Sequence, residues 1–192
     1  MKLINTKYKD LNLKIFNIDK IKAEKWFNYC MNNINWESSE IFLFGKLQKI
    51  PRLQSWYANE NIEYSYSGKK LTNNIWTKEL LLIKKEIEKL TNTRFNSMLA
   101  NLYRDGNDSM GLHSDDEKEL GDKPIIGSVS LGADRPIYFY HKKNNDKYKI
   151  MQKNGDVLLM YGSTQENWKH CINKSKKINL PRINLTFRSI IT

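Results

Sequence analysis

The chain has little cysteine and no long apolar run, and each absence excludes a class of protein. Its two cysteines, Cys30 and Cys171, lie far apart and cannot form the disulfide framework of a small secreted domain, which favours a reducing compartment. No apolar run approaches the roughly 20 residues of a membrane-spanning helix. Residues 1–7 lack the apolar core of a signal peptide. The expected location is therefore cytoplasmic or nuclear, with no membrane partner.

Repeats, low-complexity linkers and internal boundaries are also missing. The 192 residues therefore predict one domain, large enough to bury a core and a closed site. Hydrophobic residues make up 40% and charged residues 28% of the chain, which is typical of a soluble globular protein.

Acidic residues are scarce relative to basic ones. The chain has 32 lysines and arginines against 21 acidic residues, a net charge of +11. A positive field attracts polyanions, so nucleic acid is the expected partner. Compositional drift is the alternative, because the chain is rich in lysine, asparagine and isoleucine.

Hydrophobic periodicity places helices early and strands late. Residues 21–31 and 77–90 have helical spacing, and residues 41–50 have the form of a hairpin. Short strands are predicted at residues 98–103, 125–131, 137–140, 157–161 and 183–190. The predicted class is α+β, with N-terminal helices buttressing one side of an antiparallel double sheet.

Histidine is also scarce, and two of the three histidines fit a metal site. His113 and Asp115 project from the same face of an extended chain, and His170 offers a third ligand. Two histidines and one carboxylate form the facial triad of non-haem iron(II) oxygenases. A lone His-x-Asp is more often a surface turn, so the triad needs further support. We interpret His141, beside two lysines, as solvated or facing phosphate.

That support comes from the last predicted strand, in residues 182–188. Strand alternation puts Arg182, Asn184, Thr186 and Arg188 on one face, with no acidic residue to balance the two guanidinium groups. Arginine pairs with carboxylate through two parallel hydrogen bonds, so this face suits a dicarboxylate such as 2-oxoglutarate. An earlier strand presents Asn101 and Tyr103 on one face. These two side chains either complete the hydrogen bonding of the dicarboxylate or simply form a polar strand face.

The chain resembles the AlkB family of nucleic-acid dealkylases, and more narrowly its animal duplex-DNA repair branch. The resemblance covers roughly residues 40–190, in the segments 51–57, 64–68, 95–106, 113–117, 124–133, 155–160 and 181–188. It implies a double-stranded β-helix (jelly roll) in a single dioxygenase domain. Residues 1–35 are then an N-terminal extension, residues 36–94 carry nucleotide-recognition hairpins and a support helix, and residues 95–192 form the catalytic core.

The resemblance also implies roles for individual residues. Iron(II) is held by His113, Asp115 and His170. The cosubstrate 2-oxoglutarate is held by Asn101, Tyr103, Arg182, Asn184 and Arg188, with Arg188 at its distal carboxylate and Arg182 nearer the metal. The implied reaction uses dioxygen to hydroxylate an N-linked alkyl carbon, as in 1-methyladenine or 3-methylcytosine. Collapse of the product restores the base and releases formaldehyde.

Substrate contacts follow from the same resemblance. Tyr64, Tyr66 and Ser67 are expected near the target base, Asp116 and Glu117 beside the pocket, and Arg52 in the matched segment 51–57. A buried metal cannot reach a base inside a duplex, so the base is flipped or the substrate is single-stranded. Tyr66 is expected to stack on that base, unless it is one more core aromatic. Residues 142–147 contact phosphates or form a solvated loop.

DNA is the expected partner ahead of RNA, and the protein is expected to be a monomer. Three alternatives stay open: an RNA demethylase, another hydroxylase on the same fold, and a catalytically silent nucleic-acid-binding module.

Phe44 lies at the tip of the predicted hairpin, where the duplex-repair branch carries an aromatic wedge that fills the gap left by the flipped base. The alternative is packing on the core. We expect Phe44→Ala to lower turnover on methylated duplex DNA more than on the matching single strand, measured as formaldehyde release. An equal loss on both substrates would contradict the wedge.

Overall fold

A computed structural model describes residues 2–4, 6–43, 46–60, 62, 65–66, 69–70 and 72–191. The helices are α1 (Lys20–Asn33), α2 (Lys78–Thr91), the short α3 (Thr164–Asn167) and a 3-10 turn at Lys118–Leu120. The strands are β1 (Lys2–Ile4), β2 (Asn12–Asn17), β3 (Glu37–Leu43), β4 (Lys46–Ala58), β5 (Ser65–Tyr66), β6 (Lys69–Lys70), β7 (Asn73–Asn74), β8 (Ser97–Tyr103), β9 (Met110–His113), β10 (Ile126–Gly132), β11 (Arg135–His141), β12 (Lys147–Gln152), β13 (Asp156–Tyr161), β14 (Trp168–Ile172) and β15 (Arg182–Arg188).

Two antiparallel sheets face each other. Among the described residues the larger sheet has the order β1-β2-β13-β10-β15-β8-β4-β3, with β7 joining β4 in parallel, and the smaller sheet has the order β12-β11-β14-β9. Apolar side chains fill the space between them, including Leu99, Phe139, Leu158 and Trp168. This is the predicted jelly roll of the α+β class.

The helices cover the outer face of the larger sheet. Buried residues of α1 and α2, among them Trp26 and Ile83, pack with Val129, Leu185 and Phe187 of the central strands. The side chain of Asp19 caps α1 by accepting from the amides of Ile21 and Lys22, and Thr77 caps α2 by accepting from Leu80. One sheet is thus shielded from solvent on its outer side, as the early helices predicted.

The predicted helices and strands are all present, with ends shifted by a few residues. The predicted hairpin pairs β3 with β4, and its tip residues Phe44 and Gly45 lie outside the described residues. Among the described strands, β1, β2, β7, β9, β12 and β14 were not predicted. Within residues 1–35, predicted as an N-terminal extension, β2 joins the larger sheet beside β13 and α1 packs on that sheet.

None of the helices in the described part of the chain combines the length and apolarity that crossing a bilayer requires.

Gly106 holds two loops together at one end of the sheets. Its amide donates to the Ile178 carbonyl and its carbonyl accepts from the Ser175 amide, both at 2.8 Å. A Cβ at this position would lie 1.8 Å from the Ser175 oxygen and 2.6 Å from the Ile178 oxygen. Any side chain at this position would therefore push the backbone at residue 106 away from the loop that carries Ser175 and Ile178.

We expect Gly106→Ala to lower the free energy of unfolding by about 1–3 kcal/mol, the usual cost of overpacking. Gly111→Ala is the matched control, because a Cβ there meets nothing within 4 Å. Urea unfolding measures both variants, and equal stabilities would contradict the close approach.

Candidate metal centre

Three side chains predicted as metal ligands converge between the sheets. His113 ends β9, Asp115 follows it in a bend, and His170 lies in β14. One ligand atom from each lies within 4.8 Å of the others. His170 Nε2 is 3.6 Å from Asp115 Oδ2, and the two imidazole centroids are 4.3 Å apart. The cluster is therefore compact enough for its three groups to share one ion.

Sheet pairing explains why residues so far apart in sequence meet. His170 pairs with His113 across β14 and β9, and with Phe139 across β14 and β11. Asp115 follows β9, and its amide donates to Gln165 Oε1 at 3.0 Å. Helix α3 therefore fixes the loop that carries the carboxylate. Gln165 was missed as a site residue, because a single glutamine in a short polar segment carries no distinguishing signal.

Hydrogen bonding selects the ring nitrogen that each histidine offers. His113 Nδ1 is 2.9 Å from the Gly111 carbonyl, so Nδ1 carries the proton and Nε2 keeps its lone pair. His170 presents Nε2 to Asp115, while its Nδ1 is buried and has no hydrogen-bond partner among the described residues. Both rings can therefore supply Nε2.

A buried ion pair sets the charge of the carboxylate. Arg188 Nη2 donates to Asp115 Oδ1, and only 2% and 1% of these side chains are exposed. Burial alone would raise the pKa of Asp115, but the charges of Arg188, His170 and His113 outweigh it and hold that pKa well below its ordinary value. The carboxylate is therefore ionised at neutral pH.

The imidazoles are neutral at the same pH. Burial, reinforced by the neighbouring His113, lowers the pKa of His170 to about 3. Desolvation also lowers the pKa of His113, although Asp115 opposes the shift. Two neutral imidazoles and one ionised carboxylate form the donor set that suits a non-haem Fe(II) ion. The residues present therefore fit that ion.

Strand β15 lines the pocket beside the cluster with the predicted polar face. Arg182, Asn184, Thr186 and Arg188 point into the pocket, while Ile183, Leu185 and Phe187 pack under the helices. Asn184 donates to Ser128 Oγ at 2.8 Å and to the Val129 carbonyl at 2.9 Å. The alternation predicted for this strand is confirmed.

The two arginines stand at opposite ends of β15, in the reverse of the predicted arrangement. Arg188 contacts Asp115 and so lies at the metal cluster. Arg182 starts the strand six residues earlier, about 20 Å away along an extended chain. Arg188 rather than Arg182 therefore lies nearer the metal cluster, contrary to the prediction, because alternation fixes the face but not the direction of a strand. Which arginine meets the distal carboxylate stays a prediction.

Arg182 lies under Tyr103 at the far end of the pocket. Its guanidinium carbon is 5.3 Å from the Tyr103 ring centroid, and its Nε donates to Ser130 Oγ at 2.9 Å. Burial lowers the pKa of Arg182 to about 10, which still leaves it charged at neutral pH. Its Nη1 is buried and has no hydrogen-bond partner among the described residues.

A second guanidinium, missed from the sequence, also faces Tyr103. Arg135 is fully buried, and its guanidinium carbon is 5.6 Å from the Tyr103 centroid. It donates to the carbonyls of Asp105, Asp108 and Asn173 at 2.8–3.0 Å. Arg135 thereby ties the loops at this end together. Its position at the start of β11 gave no sign of that role.

Asn101 and Arg52 meet within the site. Arg52 is 4% exposed and its Nε donates to Asn101 Oδ1 at 2.8 Å. Asn101 and Tyr103 both line the pocket, as their shared strand face predicted. Arg52, predicted to contact substrate, lies behind Asn101.

Asp116 and Glu117 follow the metal cluster directly. The side chain of Asp116 is 56% exposed, and its Oδ2 accepts from Lys142 Nζ at 2.9 Å. Lys142 also donates to the Gln165 carbonyl, so the turn after β11 reaches the loop that carries Asp115. Glu117 is half-buried.

The remaining predicted substrate residues are only partly visible. Tyr64, Ser67 and Phe44 lie outside the described residues. Tyr66 belongs to β5, which pairs with β6, and only its backbone is described.

His141 is not the solvated or phosphate-facing residue that its lysine neighbours indicated. Its side chain is 11% exposed, its Nε2 is 3.0 Å from Asp10 Oδ2, and its ring meets Trp168 edge-on. The N-terminal segment covers it, and nothing in the local sequence gave sign of that contact.

The chain is similar to known proteins over most of its length. The family model described as the 2OG-Fe(II) oxygenase superfamily matches residues 15–188. The DNA oxidative demethylase ALKBH2 of Mus musculus is 33% identical over 183 residues, which cover 90% of this chain and 77% of that protein. The alpha-ketoglutarate-dependent dioxygenase alkB homolog 3 of Bos taurus is 37% identical over 183 residues, covering 90% of this chain and 63% of that protein.

A solved structure, that of OsALKBH1, has the same fold. It superposes with a TM-score of 0.66 at 16% identity, and the match covers 92% of this chain and 97% of that one. The jelly roll is therefore confirmed at the level of the fold. The chain spans only part of the length of its curated relatives, 58% for the Bos taurus ALKBH2 and 52% for the Homo sapiens alkB homolog 3.

We expect Asp115→Ala and His113→Ala both to abolish tight binding of Mn²⁺, because each removes one ligand atom of three. Their metal-free stabilities should differ. Asp115→Ala also breaks the buried pair with Arg188, which costs about 3–5 kcal/mol of unfolding free energy, whereas His113→Ala leaves that pair intact. Calorimetric Mn²⁺ titration and urea unfolding test both points. Unchanged Mn²⁺ affinity, or equal stabilities, would contradict this account of the cluster.

Proposed function

We propose that this chain, which belongs to the AlkB family within the 2OG-Fe(II) oxygenase superfamily, oxidatively removes alkyl groups from N-alkylated bases in DNA. One observation carries the proposal. A three-ligand cluster suited to Fe(II) and a buried guanidinium with an unused N–H donor line the same pocket. A dicarboxylate that also binds the metal is the ligand that such a pocket fits.

Each pocket residue has a proposed part in holding the reactants. His113, Asp115 and His170 hold Fe(II). Arg182 pairs with the distal carboxylate of 2-oxoglutarate, and the Tyr103 hydroxyl donates to that same group. Two further features, the contact of Arg188 with Asp115 and that of Arg52 with Asn101, keep the metal end of the pocket in place.

When bound, Fe(II), 2-oxoglutarate and dioxygen supply the oxidation, converting 2-oxoglutarate to succinate and carbon dioxide while hydroxylating the N-alkyl carbon. The chain contributes position and exclusion of water. Asp115, Arg182 and Arg188 are each 1–2% exposed, so their charges act in a dry pocket where electrostatic interactions are strong.

The base-contacting residues are proposed from the family segments. Tyr64, Tyr66 and Ser67 are proposed to hold the target base, with Asp116 and Glu117 at the rim beside Asp115. Because the metal cluster is buried between the sheets, a base has to leave its stack to reach it. Alkylation of a pairing nitrogen breaks the base pair beforehand and lowers that cost.

DNA is proposed ahead of RNA because relatives 33–35% identical to this chain are named as DNA oxidative demethylases. The net charge of +11 favours either polyanion.

The test is a product analysis with matched substrates. Iron-loaded protein and 2-oxoglutarate are incubated with single- and double-stranded DNA and RNA of one sequence. Each oligonucleotide carries 1-methyladenine, 3-methylcytosine or an etheno adduct, and the masses of the products are measured. We expect restored bases in DNA, formaldehyde from the methyl lesions, and matching succinate.

Asp115→Ala should abolish both products, while His141→Asn, which changes the one histidine outside the cluster, should retain them. Turnover of RNA alone would show that RNA, and not DNA, is the substrate. No consumption of 2-oxoglutarate with any oligonucleotide would overturn the proposal.

A further inference from the structure

The outer face of the smaller sheet is open, unlike that of the larger one. Helices α1 and α2 pack on the larger sheet, and the core cluster to which the smaller sheet contributes contains no residue of either helix. Exposed outward side chains include Lys169 of β14, Met151 of β12 at 42% and Leu112 of β9 at 52%, whereas Tyr138 and Tyr140 of β11 are half-buried. A sheet face that exposes apolar and cationic groups is a candidate interaction surface.

Lysines and tyrosines alternate across this face. Tyr140 of β11 pairs with Lys147 of β12 on one side and Lys169 of β14 on the other, and Tyr138 pairs with Lys149. Lys147 Nζ is 5.6 Å from the Tyr140 centroid, and Lys149 Nζ is 5.5 Å from the Tyr138 centroid. These five residues define the Lys-Tyr face.

No acidic side chain balances these cations within the sheet. Strands β9, β11, β12 and β14 contain no aspartate or glutamate at any position. Opposite charges on neighbouring strands stabilise a sheet, and these four strands offer the lysines no acidic partner. The charge of the Lys-Tyr face is therefore complementary to a polyanion.

The Lys-Tyr face is continuous with the rim of the metal pocket. The inner side of the same strands carries His113 and His170. The turn after β11 brings Lys142 to Asp116, the residue next to Asp115. A chain leaving the pocket over this turn reaches the row of Tyr140 first and the row of Tyr138 about 7 Å further on.

We propose that the Lys-Tyr face binds the single-stranded DNA that flanks the target base, with phosphates on Lys147, Lys149 and Lys169 and bases stacked on Tyr138 and Tyr140. Basic grooves with stacking aromatics are how sheets bind single strands without sequence preference. The choice of DNA as ligand rests on the proposed function. The competing explanation is that lysines on the edge strand β12 only prevent aggregation, which needs no ligand.

The first experiment measures binding without catalysis. Metal-free protein is titrated onto an unmodified single-stranded DNA of about 15 nucleotides, near the upper site size of single-strand-binding folds, and fluorescence anisotropy is recorded at several salt concentrations. The triple variant Lys147→Ala, Lys149→Ala, Lys169→Ala should bind about tenfold more weakly. Its log-log salt slope should fall by about 2, since each phosphate contact on a single strand contributes about 0.7.

The matched control removes equal charge from the opposite side of the molecule. Lys20→Ala, Lys25→Ala, Lys85→Ala changes three exposed lysines on α1 and α2. It should lower affinity far less and leave the salt slope near that of the unchanged protein. Equal losses in the two triple variants, or none in the first, would overturn the proposal.

The second experiment separates stacking from charge and from the proposed function. Tyr138→Leu and Tyr140→Leu keep the charge and should each weaken binding about fivefold or more, without changing the salt slope. Retained affinity in both would overturn the stacking role. Turnover of a methylated mononucleotide, which has no flanking nucleotide to place on the Lys-Tyr face, should be unchanged in the lysine triple variant. If neither the unchanged protein nor any variant turns over methylated DNA, but the binding results are as expected, the proposed reaction is wrong. The Lys-Tyr face is then still supported as a DNA-binding surface.

Discussion

The buried pair of Asp115 and Arg188 is the interaction on which the site depends. A carboxylate between two imidazoles in a dry space would normally take up a proton, because desolvation disfavours its charge. Arg188 reverses that balance, and the pKa of Asp115 stays low even though the side chain is buried. The histidines can then remain neutral, which keeps their lone pairs available. The charge state needed for a divalent ion is thus prepared by the protein before any ion arrives.

The same pair explains why β15 runs through the centre of the larger sheet. A guanidinium buried this deeply needs fixed partners, and a central strand holds its side chains more rigidly than an edge strand or a loop. Strand β15 pairs with β10 on one side and β8 on the other, so Arg182 and Arg188 are both held by a rigid backbone. Its apolar face anchors the helix layer. One face of β15 therefore packs under the helices, and the other face sets the positions of the two arginines in the pocket.

This coupling is also why so much of the site was predictable from sequence. Period-two alternation is strongest where both faces of a strand are buried for different reasons, and β15 shows it over its whole length. Helices α1 and α2 were predictable for a similar reason, since each has a continuous apolar stripe. The triad emerged from the His-x-Asp spacing together with the resemblance over residues 40–190.

Prediction failed where the deciding contact is distant in sequence. Strand β12 alternates lysines with Tyr148 and Ile150, so its outward half looks like a solvated loop until β11 is placed beside it. His141 looks exposed until Asp10 is brought onto it from the other end of the chain. The order of the two arginines failed for another reason: alternation assigns a face, and only strand direction within the closed fold assigns an end.

The two sheets of the fold are unequal, and the inequality has a physical origin. Helices α1 and α2 supply the apolar stripes that the larger sheet needs on its outer face, and no comparable stripe is left among the described residues for the smaller one. The outward positions of the smaller sheet must then be compatible with water, which lysine and tyrosine satisfy. Water compatibility alone would admit glutamate as readily as lysine. The absence of acids from all four strands leaves the sheet positively charged, which is complementary to the charge of the proposed DNA substrate.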